Sequence, residues 1–202
     1  MTPGKRLFDI ALALLLAGVL VFPFALLLLW VLWRQGLPLF HVSERMKTQD
    51  QGFVLWKLRT MTVVAADSGV SGGDKAARIT QVGRFLRRTR LDEVPQLWNI
   101  AIGDISFVGP RPPLRRYVEM FPALYRQVLQ SRPGVTGLAT LHIHRYEERV
   151  LAQCTTPVET EAVYIRRCIP RKARIDLIYQ NRRSLCLDIW IILQTAGAGK
   201  RR

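Results

Sequence analysis

The hydrophobic and polar positions of this chain divide it into two unequal parts. Ile10 to Trp33 is an uncharged run of 24 residues, framed by Lys5, Arg6 and Asp9 on one side and Arg34 on the other. As one helix it would be about 36 Å long, enough to cross the hydrocarbon core of a bilayer. The run is too long for a signal peptide, and no small-residue cleavage site comes after it. Pro23 stands near its middle, where it removes a backbone hydrogen bond and crowds the preceding turn. A break there leaves two arms of about 17–20 Å, each too short to span alone. Basic residues flank both ends, so loop charge assigns no orientation. A helix–break–helix that enters and leaves by one face fits both facts. A spanning helix that tolerates its proline is the alternative.

The rest of the chain has shorter periods. Residues 37–62 read as a connector followed by a strand at Phe53–Leu58, and Asp67–Asp74 (DSGVSGGD) reads as a loop. Between Arg78 and Arg90, Ile79, Val82 and Leu86 share one helical face with Phe85 beside them, opposite Arg84, Arg87 and Arg88. That pattern is either a solvated amphipathic helix or a basic helix lying on lipid headgroups. Val94–Ile102 and Leu114–Gln130 are expected as further helices. Leu138–His144 alternates as a strand, placing His142 and His144 on one face, too few ligands for a metal site. Glu159–Arg167 and Arg171–Tyr179 are expected helical. Leu185–Thr195 is apolar but too short to span, and reads as a buried or interfacial helix. The fold class expected is α+β and mostly helical. Residues 1–36 form a membrane-embedded segment, and 37–202 a small catalytic domain with interfacial amphipathic helices.

Charge narrows the partners. The chain carries 30 Lys and Arg against 15 Asp and Glu, a formal charge of +15. Such a bias favours nucleic acid, anionic membrane lipids or phosphorylated small molecules. Nothing resembles a helix-turn-helix or an aromatic RNA platform, so nucleic acid is not the expected partner. Cys154, Cys168 and Cys186 have no pairing or zinc-binding spacing and are expected as free thiols.

Candidate chemistry concentrates between Arg90 and Pro112, RLDEVPQLWNIAIGDISFVGPRP. Asp92 and Glu93 are adjacent carboxylates between a basic and an apolar helix. Five arginines from 78 to 90 are expected to keep a carboxylate there ionised. That suits a nucleophile or a metal ligand better than a proton donor. Beside a phosphate substrate, paired carboxylates suit Mg²⁺. Further on, Gly103 and Gly109 allow sharp turns, while Pro110 and Pro112 hold Arg111 extended for bidentate phosphate contact. Taken singly, these features also have ordinary readings, as a helix-dipole partner and a rigid turn. A membrane-tethered adaptor and a phosphohydrolase with the same carboxylates are competing readings.

Taken together, the motifs resemble the bacterial sugar transferases, the monotopic polyprenyl-phosphate phosphoglycosyl transferases. The likeness runs through KRLFD at 5–9, the proline-bearing apolar run, KLRTM at 57–61 and RITQVGRFLRRTRLDEVPQLWN at 78–99. It continues through GDISFVGPRP at 103–112, RPGVTG at 132–137 and DLIYQNRRSLCLDIWIILQT at 176–195. The resemblance implies a re-entrant N-terminal segment and a catalytic domain on the cytoplasmic face of the bacterial inner membrane. It implies that Asp92 attacks the β-phosphate of a UDP-sugar, that UMP leaves, and that polyprenyl (undecaprenyl) phosphate then takes the phosphosugar from the aspartate. Glu93 is implied as base or Mg²⁺ ligand with Asp92, Arg111 as a phosphate ligand, and Lys57, Arg59 and Arg88 as further anion-binding residues. Asp176 matches an acidic family position. The pathway implied is the first membrane step of an exopolysaccharide, O-antigen or glycoprotein glycan. Many members continue RPG-x-TG with Trp-Ala-Gln and Gly-Arg-Asn, whereas this chain reads LATLHIHRYEER at 138–149 and adds a stretch from Val150 to Pro170. Arg145 is a candidate replacement for the missing arginine, and the added stretch is a candidate for choosing the sugar. Without the several N-terminal membrane helices of larger members, the chain corresponds to the minimal form.

Overall fold

The structure, a computed structural model, describes residues 1–64 and 72–198. It is mostly helical with a small α+β component. Helix α1 (Pro3–Gln35) opens with Pro3 in its first turn, where a missing N–H costs nothing, and Thr2 caps it. It remains one helix through Pro23, so the break expected from the proline is not a break in helical structure. Proline takes away one intrahelical donor, and the turns on either side keep the helix going. By length and composition α1 is sufficient to cross a membrane.

Strands β1 (Phe40–Met46) and β2 (Gly52–Leu58) form an antiparallel hairpin in which Phe40 faces Leu58 and Met46 faces Gly52. The sequence places a strand at Phe53–Leu58; its partner β1 lies in what reads as connector. After a 3-10 turn at Gly73–Arg78, α2 (Gln81–Thr89) is capped by Thr80, whose Oγ1 accepts from the Gly83 amide at 2.8 Å. The loop expected at 67–74 lies mostly outside the described residues. A second 3-10 turn, Leu91–Glu93, leads into α3 (Gln96–Ile102).

Strand β3 (Ser106–Val108) pairs in parallel with β4 (Gly134–Thr136), and α4 (Arg115–Met120) and α5 (Pro122–Val128) form the crossover. A single helix over 114–130 is expected from sequence, but the chain breaks at Phe121, whose successor is Pro122. A residue before proline avoids the helical region. A Cβ on Gly134 would stand 2.2 Å from the Gly109 amide nitrogen, and one on Gly109 2.1 Å from the Arg132 carbonyl. Only glycines allow β3 and β4 to approach this closely.

Helix α6 (Leu138–Ala152) replaces the strand expected at 138–144. Its few alternating residues are outweighed by the helix-forming run RYEERVLA at 145–152. The remainder comprises α7 (Pro157–Val163), a wide π turn at Tyr164–Cys168, α8 (Ile169–Arg182) and α9 (Leu185–Ala198). Cys154, Cys168 and Cys186 are free thiols.

Four small cores hold these elements. The largest joins α4, α5, α6 and α8 through Tyr117, Val128, Leu151 and Ile169. Two others pack opposite ends of α1. Near its start, Ala13 lies with Phe53 and Leu55 of β2 and Ile100 of α3. Near its end, Val31 lies with Leu58 of β2 and Val82 and Leu86 of α2. The fourth core closes α8 and α9 over β3 through Val108, Tyr179 and Ile191.

Candidate active site

The carboxylate pair lies at a backbone irregularity. Arg90 adopts a left-handed conformation (φ 61°), the one non-glycine residue with positive φ among those described, and its amide closes the end of α2 on Leu86 and Arg87. Such a conformation is uncommon for a residue with a side chain and is held by its surroundings. It turns the chain so that Asp92 and Glu93 fall on the short 3-10 turn rather than on a continuous helix.

The two carboxylates then meet different surroundings. Glu93 accepts from Lys57 Nζ at 3.1 Å and lies 3.5 Å from both Arg90 and Arg111. Burial alone would raise its pKa, but Lys57, Arg111 and Arg90 outweigh burial and hold it at about 2. Asp92 is buried and, among the described residues, accepts no hydrogen bond. Burial and the Glu93 charge raise its pKa above the ordinary carboxylate value, against the pull of Lys57, Arg87 and Arg111. The expectation that the arginines of 78–90 keep a carboxylate here ionised holds for Glu93, which Arg90 shares with Lys57 and Arg111, but the shift of Asp92 is in the opposite direction.

Both residues open into a cleft of about 630 Å³, which Lys57, Arg59, Arg87, Arg88, Arg111 and Asp176 also line. Lys57 reaches it from the end of β2, and Arg111 from the segment after β3. Arg59 borders the cleft but donates to the carbonyls of Gln35, Gly36 and Pro38, closing the end of α1. Arg145 is exposed on α6 and does not line the cleft. Asp176 is buried in the cleft wall on α8, its pKa pushed up by burial to about 7 against the pull of Lys172.

Several positioning residues carry little sequence signal. Asn99 donates to the Val54 carbonyl at 2.8 Å and accepts from the Trp56 amide at 3.2 Å, fixing α3 to β2 and so placing Lys57 beside Glu93. Arg87 donates to Thr60 Oγ1 at 2.9 Å. Gly83 lets α2 approach the same residue, since a Cβ there would stand 2.0 Å from the Thr60 carbonyl oxygen. The KRLFD segment, which reads as the charged flank of the apolar run, fastens α1 to the catalytic elements. Lys5 pairs with Asp188 at 2.5 Å, Arg6 donates to the carbonyls of Ile100 and Ala101, and Asp9 accepts from the Phe107 amide at 3.3 Å.

Among the described residues no group of three His, Cys, Asp or Glu side chains could hold a metal ion by itself. Asp92, with no hydrogen bond among the described residues, has oxygens to offer a cation such as Mg²⁺, which takes one or two carboxylates with phosphate oxygens and water, whereas those of Glu93 already meet Lys57, Arg90 and Arg111. Beside the cleft runs a separate apolar groove of about 590 Å³ between α1 and α2, lined by Leu20, Phe24, Trp30, Phe85, Leu91 and Val94 among others. Leu91 and Val94, which line the groove, bracket in sequence the Asp92 and Glu93 that line the cleft.

A family model described as bacterial sugar transferase matches residues 2–201. The chain belongs to the bacterial sugar transferase family. It is 35% identical over 133 residues to a UDP-glucose:undecaprenyl-phosphate glucose-1-phosphate transferase of Klebsiella pneumoniae, covering 64% of this chain and 29% of that protein. It is 34% identical over 142 residues to the sugar transferase EpsL of Bacillus subtilis, covering 68% of each. A second UDP-glucose:undecaprenyl-phosphate glucose-1-phosphate transferase, from Escherichia coli, is 34% identical over 170 residues, covering 80% of this chain and 36% of that protein. The chain thus spans about a third of the length of the two glucose-1-phosphate transferases.

Proposed function

We propose that this protein transfers a sugar phosphate from a UDP-sugar to undecaprenyl phosphate through a covalent intermediate on Asp92. The observation that carries the reading is the setting of Asp92: a carboxylate with no hydrogen bond among the described residues, in a cationic cleft, whose sequence neighbours Leu91 and Val94 line an apolar groove. The cationic side suits the donor's diphosphate, and the apolar side suits the isoprenoid chain of the acceptor.

In the first half-reaction an Asp92 carboxylate oxygen attacks the β-phosphorus of the donor. The bond from that phosphorus to the bridging oxygen breaks, and UMP leaves with the electron pair. In the second, an oxygen of undecaprenyl phosphate attacks the same phosphorus and Asp92 is released. Glu93 holds Lys57 and Arg111 in place, and these cations face the charge that builds on the phosphoryl oxygens. Mg²⁺, held by Asp92, would supply further neutralisation of the diphosphate.

The same reading puts the catalytic elements on the cytoplasmic face of the inner membrane, with α1 re-entrant. Both ends of α1 are fastened to one body: Arg6 to α3, and Gln35 to the Arg59 carbonyl and to Thr80. A spanning helix would deliver its ends to opposite faces. Between those ends Leu14, Leu15, Val19, Phe22, Leu26 and Leu29 are exposed, as a lipid-facing surface requires. On α9, Trp190 and Leu193 are exposed as well and suit the interface beside anionic lipids.

Purified protein in lipid nanodiscs should release UMP from a UDP-sugar with Mg²⁺ and form lipid-linked sugar only when undecaprenyl phosphate is present. Full turnover by Asp92→Asn would refute the nucleophile assignment, and free sugar phosphate made without acceptor would favour a hydrolase. For topology, single cysteines at positions 2 and 36 should both be labelled only from the cytoplasmic side. Labelling from opposite sides would establish a spanning helix.

A further inference from the structure

The cleft has two regions of different chemistry. Around Asp92 its lining is cationic, with Lys57, Arg87, Arg88 and Arg111. Its other region is walled by Glu147 of α6, Tyr164 of the π turn, and Lys172 and Asp176 of α8. Arg111 joins the two: its guanidinium is 3.5 Å from Glu93, and it also feels the charge of Glu147. The second region therefore begins one side chain away from the carboxylate pair.

We propose that this second region seats the sugar ring of the donor, with Glu147 and Asp176 accepting hydrogen bonds from its hydroxyl groups. The proposal rests on the transferase reading, because a sugar joined to the β-phosphorus must lie beside Asp92. Charge decides which end of the donor occupies which region. Lys172 neutralises Glu147 and burial favours the protonated form of Asp176, so this region lacks the surplus of positive charge that a diphosphate needs, while its carboxyl oxygens accept from hydroxyl donors. Geometry points the same way. Asp176 is 6% exposed and, among the described residues, makes no hydrogen bond. Its carboxyl group faces the cleft, where a hydroxyl donor can reach it. Glu147 is held in place by Lys172, whose Nζ lies 3.0 and 3.3 Å from its two oxygens and 3.4 Å from the Tyr164 hydroxyl. The Tyr164 ring packs 5.1 Å from that of Tyr117. Sites that hydrogen-bond a substrate hydroxyl discriminate strongly against analogues that lack it.

The test measures UMP release by the full chain in nanodiscs with UDP-glucose, UDP-galactose and UDP-N-acetylgalactosamine, for wild type, Glu147→Gln, Asp176→Asn and Tyr164→Phe. UDP, which lacks the transferred sugar, serves as a competitive inhibitor. Glu147→Gln and Asp176→Asn are expected to raise KM by about tenfold or more for the preferred donor and to change the ratio between donors. The inhibition constant of UDP should stay within about twofold of wild type. Tyr164→Phe, which keeps the ring, guards against misfolding and should also alter the donor ratio. Equal losses with every donor, or weakened UDP binding to the same degree, would overturn the sugar seat while leaving the transferase reading intact. No UMP release by wild type from any donor would overturn both.

Discussion

Asp188 offers the sharpest test of how α1 is joined to the catalytic elements. It is 1% exposed on α9; one oxygen accepts from Lys5 at 2.5 Å and the other from the Tyr179 hydroxyl at 2.6 Å. That hydroxyl also lies 3.2 Å from the Val108 carbonyl, so one carboxylate ties together α1, α8, α9 and β3. Asp188→Asn keeps the shape but leaves the Lys5 ammonium without its counter-charge. Breaking a buried pair from one side costs about 3–5 kcal/mol. In a chain of this size each kcal/mol moves Tm by about 2–4 °C, so a fall of roughly 10 °C is expected. Replacing both partners, as Lys5→Met with Asp188→Leu, removes the stranded charge and should recover most of the loss. Thermal unfolding in detergent, followed by near-UV circular dichroism, reads both effects. A single variant that melts within about 2 °C of wild type, or a double variant no better than the single, would refute the reasoning.

Two carboxylates should shape the dependence of stability on pH in opposite directions. Glu93, held at about 2 against an ordinary 4.5, contributes stability that is complete above pH 4.5 and lost as pH falls towards 2. The loss is up to about 3 kcal/mol, and Glu93→Gln should flatten that acid limb in a pH series of melting curves. Asp176, raised from 3.8 to about 7, holds its proton longer in the folded state, so stability should fall as pH rises between those values. The fall is up to about 4 kcal/mol, and Asp176→Asn should remove it. Gly134→Ala forces a Cβ onto the Gly109 backbone and should cost about 3 kcal/mol or more, whereas Gly18→Ala, with nothing within 4 Å, should be neutral or slightly stabilising in the same melts.

Features that depend on composition and local spacing are legible in the sequence. The apolar run, the amphipathic helix at α2 and the carboxylate pair each carry their signal within a few residues. Long-range contacts carry no such signal. Arg59 reads as an anion ligand, yet three carbonyls at the end of α1 engage it. Lys5, Arg6 and Asp9 read as flanks of a membrane segment, yet each bonds to a residue more than 90 positions away. Strands β3 and β4 are three residues each and exist because glycines let them meet across α4 and α5, which no alternation within either segment announces. The strand expected at 138–144 is absent for the converse reason: a short alternation gives way to the helical preference of residues 145–152. Asp92 and Glu93 stand together in the sequence, but their different surroundings come from Lys57 and Arg111, 35 residues before Asp92 and 18 after Glu93.

A phosphosugar bonded to Asp92 is the species on which the proposed mechanism stands. Incubating the protein with a UDP-sugar in the absence of lipid acceptor, then quenching in acid and measuring the mass of the peptide that contains Asp92, tests it directly. The expected result is the added mass of one sugar phosphate on that peptide, one UMP released per modified chain, and loss of the added mass when undecaprenyl phosphate is supplied. UMP release with no modified peptide, or the same modification in Asp92→Asn, would contradict it.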